Sequence, residues 1–170
     1  MLKRILLSDD VEQAINENME YLLELIPEIK PMIGFDHNNP EHHLNVWKHT
    51  LFALSLSPPN YDIRLVLLLH DIGKPYSYQD GEIRHFKGHA AMSAAISRKI
   101  LKRFNYPDSY VEKLCYLIRN HDYPISDTQI LTNYDLALKL YEIQRCDALA
   151  HHPDRLEKRK QYLKKIEEKF

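Results

Sequence analysis

A histidine followed directly by an aspartate, His70-Asp71, stands at the end of the apolar run Leu65 to Leu69. The run is apolar on every side, which marks a buried helix. A carboxylate at its last turn lies beside the core, where an unpaired charge costs several kcal/mol. A divalent cation would compensate it, because imidazole and carboxylate both ligate borderline metals. An arginine partner or a solvated helix end would do so equally well, and the dipeptide alone does not choose. Lys74 follows one turn later, between Gly73 and Pro75. Its ammonium suits a phosphate contact, and it also suits the negative end of a helix.

Ten histidines are present, an excess that points weakly to a metal site. Taken singly, most have ordinary readings. His49 reads as a half-buried histidine, and Asp147 as a cap or a partner of Arg145. His121 precedes Asp122, a second His-Asp pair in which Asp122 is the expected partner behind His121. His37, His42, His43 and His85 read as surface residues or supports around a site. His151 and His152 precede Pro153 and are expected in solvent. Trp47 reads as core, and Tyr76, Tyr78 and Tyr123 as either pocket walls or covers of the core. The four glycines, Gly34, Gly73, Gly81 and Gly88, never share one short loop, which excludes a P-loop and a dinucleotide fingerprint.

The elements that must position these residues are helices. At 170 residues the chain fits one domain with a real core. Its net charge of −1 gives no global field toward nucleic acid or membrane. Cys115 and Cys146 form no close motif and read as buried thiols in a reducing compartment. No segment resembles a signal peptide, and the longest apolar run is far too short to span a bilayer. A cytoplasmic protein, with no membrane partner, is expected.

Helical periodicity dominates, and strand alternation is nearly absent. Asp9 with Glu12 suggests a capping box opening a helix to about Ile26, with a loop over 28–39. Further helices are expected from about Pro40 to Leu56 and from Asp62 to Gly73. The others run from Phe86 to Phe104, Pro107 to His121, Tyr134 to Ala150 and Asp154 to Phe170. Asp80-Gly81 suggests a small hairpin within 76–85. The last helix carries a strongly basic face, which is read as solvated.

His70-Asp71-Ile72-Gly73-Lys74 resembles the signature of the HD superfamily of metal-dependent phosphohydrolases, in its HDIG subgroup. The flanking segments are similar too. Val46-Trp47-Lys48-His49-Thr50-Leu51 looks like the family's first-histidine helix, and Gly88-His89 before an Ala-rich helix looks like its third-histidine segment. Leu117-Ile118-Arg119-Asn120-His121 looks like the fourth, and Arg145-Cys146-Asp147-Ala148-Leu149-Ala150 like the closing aspartate. The resemblance is to the HD domains of bacterial tRNA nucleotidyltransferases and runs from about Gly34 to Ala150.

The resemblance implies an all-α, single-domain helical bundle over 1–170. Its metal-binding core would cover about 34–150, with helical extensions at 1–33 and 151–170. It implies one divalent cation held by His49, His70, Asp71 and Asp147, and a second bridged by Asp71 to His89 and His121. Iron, manganese, zinc, cobalt, nickel and magnesium all remain open. In the family such cations activate a water and clamp phosphate oxygens. Asp71 and Lys74 would be the catalytic residues, Lys74 contacting phosphate. Arg84, Arg119, Arg145 and His42 are the further substrate-binding candidates. The substrate would be a small phosphoester or nucleotide, or an RNA end, with monoester and diester both open. Two other readings keep the fold. One is a di-iron oxygenase on the same ligands; the other is a non-enzymatic, metal-stabilised module. The oligomeric state is not legible.

Overall fold

A computed structural model describes residues 1–170, in which eleven α-helices and two 3-10 turns carry the architecture and no strand forms. The helices are α1 (Leu2–Leu6), α2 (Val11–Glu17), α3 (Met19–Leu25), α4 (Val46–Ser55), α5 (Tyr61–Leu69) and α6 (Lys74–Ser77). They continue as α7 (His89–Arg103), α8 (Asp108–Asn120), α9 (Asp127–Thr132), α10 (Tyr134–Leu149) and α11 (Leu156–Glu167). One contiguous core runs from Leu2 to Ile166, with α5 at its centre: Leu65 to Leu69 are fully buried. No helix is long and apolar enough to cross a membrane. Cys115 and Cys146 are buried and unpaired.

Several expected boundaries move, each for a local reason. The long first helix breaks at Asn18, whose side-chain amide donates to the Ala14 carbonyl and competes with the helical ladder. Asp10 rather than Asp9 caps α2, accepting from the Gln13 amide. The expected loop 28–39 begins with a 3-10 turn, Pro27–Met32, that buries Ile29 and Met32. The helix expected from Pro40 starts only at Val46, where Asn45 accepts from the Lys48 amide. The chain before it is therefore free to fold over the site. The hairpin at 76–85 is a single antiparallel pair, Gln79 with His85. The element α9 was not anticipated, although Ser126 and Gln129 form a capping box legible in the sequence.

Three helices share one anchor. The carboxylate of Asp62, near the start of α5, accepts from Tyr110 (2.6 Å) and Lys113 (2.7 Å) on α8, and from Lys139 on α10. From these anchors, Asp62 to Asp71, Lys113 to His121 and Lys139 to Asp147 span nine, eight and eight residues. At about 1.5 Å per residue these are matched lengths of roughly 12–14 Å. Pinning one end of the three helices thus brings His70-Asp71, His121 and Asp147 level at the other. The negative ends of three helix dipoles converge there, which favours a cation.

Burial alone would raise the Asp62 carboxyl, but hydrogen bonds from Lys113, Lys139 and Tyr110 hold it down at about 2, against an ordinary 3.8. A depressed carboxyl contributes stability above its unfolded pKa and loses it as pH falls through the folded one. The contribution, roughly 2 kcal/mol, is therefore full at neutral pH and disappears between about pH 4 and about pH 2. Asp62→Asn is expected to lose about that much stability at pH 7 and to converge on the parent near pH 2. Urea unfolding at both pH values checks this; a difference independent of pH would remove Asp62 as the clamp.

Gly73 sets the other contact that aims the site. A Cβ there would lie 2.5 Å from the Ser93 amide nitrogen, 2.7 Å from the His89 carbonyl oxygen and 2.9 Å from the Met92 Cβ. The first turns of α7 thus rest directly on this glycine, and its amide donates to the Ser93 hydroxyl (2.9 Å). Gly73→Ala is expected to cost about 1–3 kcal/mol through overpacking and to push α7, with His89 at its start, away from Asp71. A melting curve and a metal count check this. A variant with unchanged stability and full metal content would show that the contact relaxes freely.

Candidate metal centre

Six side chains from five helices meet around Asp71. His49 comes from the first turns of α4. His70 ends α5, and Asp71 follows it in the turn toward α6. His89 opens α7, His121 ends α8, and Asp147 lies in the last turn of α10. Asp71 is 1% exposed, and its two oxygens face different partners. Oδ2 lies 3.3 Å from His70 Nε2 and 3.9 Å from His49 Nε2. Oδ1 lies 3.5 Å from His89 Nε2 and 3.9 Å from His121 Nε2. Asp147 Oδ1 closes the first side, 2.8 Å from His49 Nε2 and 3.4 Å from His70 Nε2.

The imidazoles are oriented from behind. Each of the four uses Nδ1 on a backbone carbonyl. His49 donates to Ala150 (3.1 Å), His70 to Leu67 (2.6 Å), His89 to Phe86 (2.9 Å) and His121 to Ile118 (2.6 Å). In its neutral form a ring that donates from Nδ1 carries its lone pair on Nε2, and all four Nε2 atoms turn toward Asp71 or Asp147; without a cation His49 donates from Nε2 to Asp147 Oδ1 (2.8 Å), a proton that a bound cation would displace. His89 Nε2 and His121 Nε2 are 3.2 Å apart, so two lone pairs oppose each other.

This arrangement fits divalent cations. His70 Nε2 and both Asp71 oxygens are buried without a hydrogen-bond partner. Two sets of donor atoms close enough to share one ion stand side by side: His49, His70 and Asp147, and His70, Asp71 and His121. At His70 the two carboxylates outweigh burial. Burial alone would lower His70, yet Asp71 and Asp147 hold it up at about 10. Both carboxyls stay well below their usual range despite burial, Asp71 chiefly through His70 and Asp147 chiefly through His151. Buried His121 falls to about 3.

Lys74 is 5% exposed. Its ammonium lies 2.7 Å from Asp71 Oδ2, without hydrogen-bond alignment to it, and 3.1 Å from His37 Nε2. The centre forms the floor of a cleft of about 350 Å³, lined also by Lys74, His42, Lys87, Asp122, His151 and Arg159.

The remaining candidates divide. His42 lines this cleft and stacks on His37, ring centroids 3.7 Å apart. Arg84, Arg119 and Arg145 do not line it. Arg84 is held by Asp80 and the Asp36 carbonyl, and its guanidinium lies over the Phe35 and Tyr78 rings. Arg145 pairs with Glu142 and the Leu56 carbonyl. Arg119 is exposed on α8. Asp122 makes no hydrogen bond to His121, whose Nδ1 already serves Ile118, so the expected His-Asp support is replaced by backbone.

Three further residues shape the site: His151 and Arg159, unexpected from the sequence, and His37, read there as a surface residue or a support. His151 was expected in solvent, but it is 7% exposed and its ring sits 5.2 Å from that of His49. His37 is 1% exposed, tied to the Leu44 carbonyl and Lys74. Arg159 reaches the cleft from the basic helix α11, anchored to Glu41 (3.2 Å). Nothing in the local sequence marks it among its lysine neighbours.

Comparison with known proteins agrees with this geometry. The chain is similar to the CC-adding tRNA nucleotidyltransferase of Thermus thermophilus, 35% identical over 130 residues, covering 71% of this chain and 30% of that protein. It is also similar to the A-adding tRNA nucleotidyltransferase of Deinococcus radiodurans, 33% identical over 119 residues, covering 64% of this chain and 27% of that protein. The similarity thus spans less than a third of either relative's length. The HD domain family matches residues 41–166, a stretch that holds all six converging side chains. This chain belongs to the HD domain family.

Proposed function

We propose that the protein is a metal-dependent phosphohydrolase acting on a nucleotide or an RNA-end-like phosphate. One observation carries the reading: a buried aspartate with neither oxygen hydrogen-bonded, ringed by four imidazoles presenting Nε2, at the floor of an open cleft. His49, His70, Asp71 and Asp147 would hold one divalent cation, and Asp71 with His89 and His121 a second. Bound there, such cations supply Lewis acidity and lower the pKa of water from about 15.7 toward about 7.

The chain's own residues supply the rest. Lys74 stands beside Asp71 at the cleft and pairs with a phosphate oxygen as its charge changes during attack. The carbonyl contacts behind the imidazoles fix their tautomer, so no ring must reorient during the reaction. His42 lies on the cleft wall, within reach of bound substrate. A site kept for structure alone would be closed to solvent; this one opens into a cleft with a lysine beside it, which supports an enzyme. The tRNA nucleotidyltransferases among the relatives support a nucleotide or RNA terminus as the phosphate carrier. The test is the metal-loaded protein against nucleotides, cyclic nucleotides and RNA ends. Turnover of at least one phosphoester is expected; none, with metal bound, would sink the reading.

A further inference from the structure

The cleft continues past the metal centre into a second lobe of about 260 Å³. His121, Asp122, Asp147 and Arg159 line both lobes, so the second opens directly from the ligands of the first. Small-molecule sites run roughly 300–1,000 Å³, so a lobe of this size suits one ring system rather than a whole ligand. Its walls match that load. Tyr123, Pro124, Ala148 and Tyr162 line it, and Tyr123 is 61% exposed although large and aromatic. At the junction stands Arg159. Glu41 holds one end of its guanidinium, while its Nε is buried with no partner. A fixed guanidinium with an unsatisfied buried donor, next to a metal centre, is suited to an anionic oxygen.

We propose that this second lobe holds the nucleoside part of the substrate as a stacked ring, with Arg159 binding the phosphate at the junction. The inference rests on the phosphohydrolase reading and adds the group that binds beside the phosphate. The lobe also sets a limit on selectivity. The Gln144 amide donates to the Asn120 and Tyr123 carbonyls, and its oxygen accepts from the Tyr162 hydroxyl. That hydroxyl in turn accepts from the Ile125 amide. Gln144 and Tyr162, on the wall of the lobe, are thus already committed to one another and to backbone, which leaves Asp122 and Lys158 as its free polar side chains. The ring is held chiefly by stacking on Tyr123 and by shape, so purine and pyrimidine are expected to differ by less than about 100-fold.

The test is calorimetric binding to the metal-loaded protein. The probes are methylphosphonate and the non-hydrolysable 5′-methylenephosphonates of adenosine and cytidine. The nucleoside is expected to tighten binding about 10–100-fold over methylphosphonate, the scale of one stacked base. Tyr123→Ala removes most of that gain and leaves methylphosphonate binding unchanged. Arg159→Ala weakens all three probes by about 10–100-fold with metal content unchanged. Arg159→Lys keeps the charge without the fork and falls between, which separates phosphate binding from a tether to Glu41 alone. A 5′-phosphonate oligoribonucleotide competes better than the mononucleotide if the ring belongs to an RNA end, and worse if it belongs to a free nucleotide. If nucleosides bind no tighter than methylphosphonate, the lobe assignment fails while the hydrolase reading stands. If no phosphonate binds the metal-loaded protein, the hydrolase reading itself fails.

Discussion

Asp71→Ala is expected to abolish phosphoester turnover and to remove nearly all bound metal. Asp71 faces both halves of the centre, Oδ2 toward His70 and His49, and Oδ1 toward His89 and His121. Removing it takes a ligand from every ion at either stoichiometry. It also leaves the Lys74 ammonium buried beside His37 without its countercharge, a loss of about 3–5 kcal/mol in the metal-free chain. Asp71→Asn keeps the shape and separates the two effects. His89→Ala and His121→Ala touch only the Oδ1 side and are expected to retain about one ion. Metal analysis of the purified variants decides it. Equal and complete loss in Asp71→Ala, His89→Ala and His121→Ala would mean one cooperative site instead of two separable halves.

Lys74→Ala is expected to keep its metal and to lose about 10²–10³ in turnover. The ammonium is not a ligand, since it repels a cation, yet it lines the cleft 2.7 Å from Asp71 Oδ2. It is therefore placed to meet an oxygen of a phosphate bound over that carboxylate. Burial adds a second expectation: in the metal-free chain Lys74 offsets the Asp71 charge, so the variant is expected to melt lower without metal and to recover when metal is added. Melting with and without metal, beside steady-state rates, tests both parts. Unchanged turnover with a lowered melting point would leave Lys74 as a charge partner only.

The legible part of this protein is the part whose chemistry is local. Leu65 to Leu69 announce a buried helix, and a His-Asp pair at its end is conspicuous because burial makes it costly. The glycine after it is explained only by tertiary contact: α7 lands on Gly73, which no spacing rule reveals. The family resemblance pointed to His49, His89, His121 and Asp147, and the structure brings them to within about one side chain of Asp71. Residues placed by loops were not legible. His37 and His151 enter the site because 33–45 and 150–152 fold back over α4, and nothing in the local sequence of either histidine signals that. Arg84, a substrate-binding candidate in the sequence, instead lies over the Phe35 and Tyr78 rings and does not line the cleft. Arg159 was hidden among the lysines of α11, a helix whose basic face reads as solvated; one position of it faces inward to the cleft.

Where metal binds decides what this site can do. Crystals of the metal-loaded protein, measured at and away from the absorption edge of the added ion, locate it without assumptions about activity. The expected result is one ion ligated by His49, His70, Asp71 and Asp147, with a second, where present, between Asp71, His89 and His121. Ions found only at surface carboxylates, with His70 and Asp71 unligated, would contradict the metal centre and every functional step built on it.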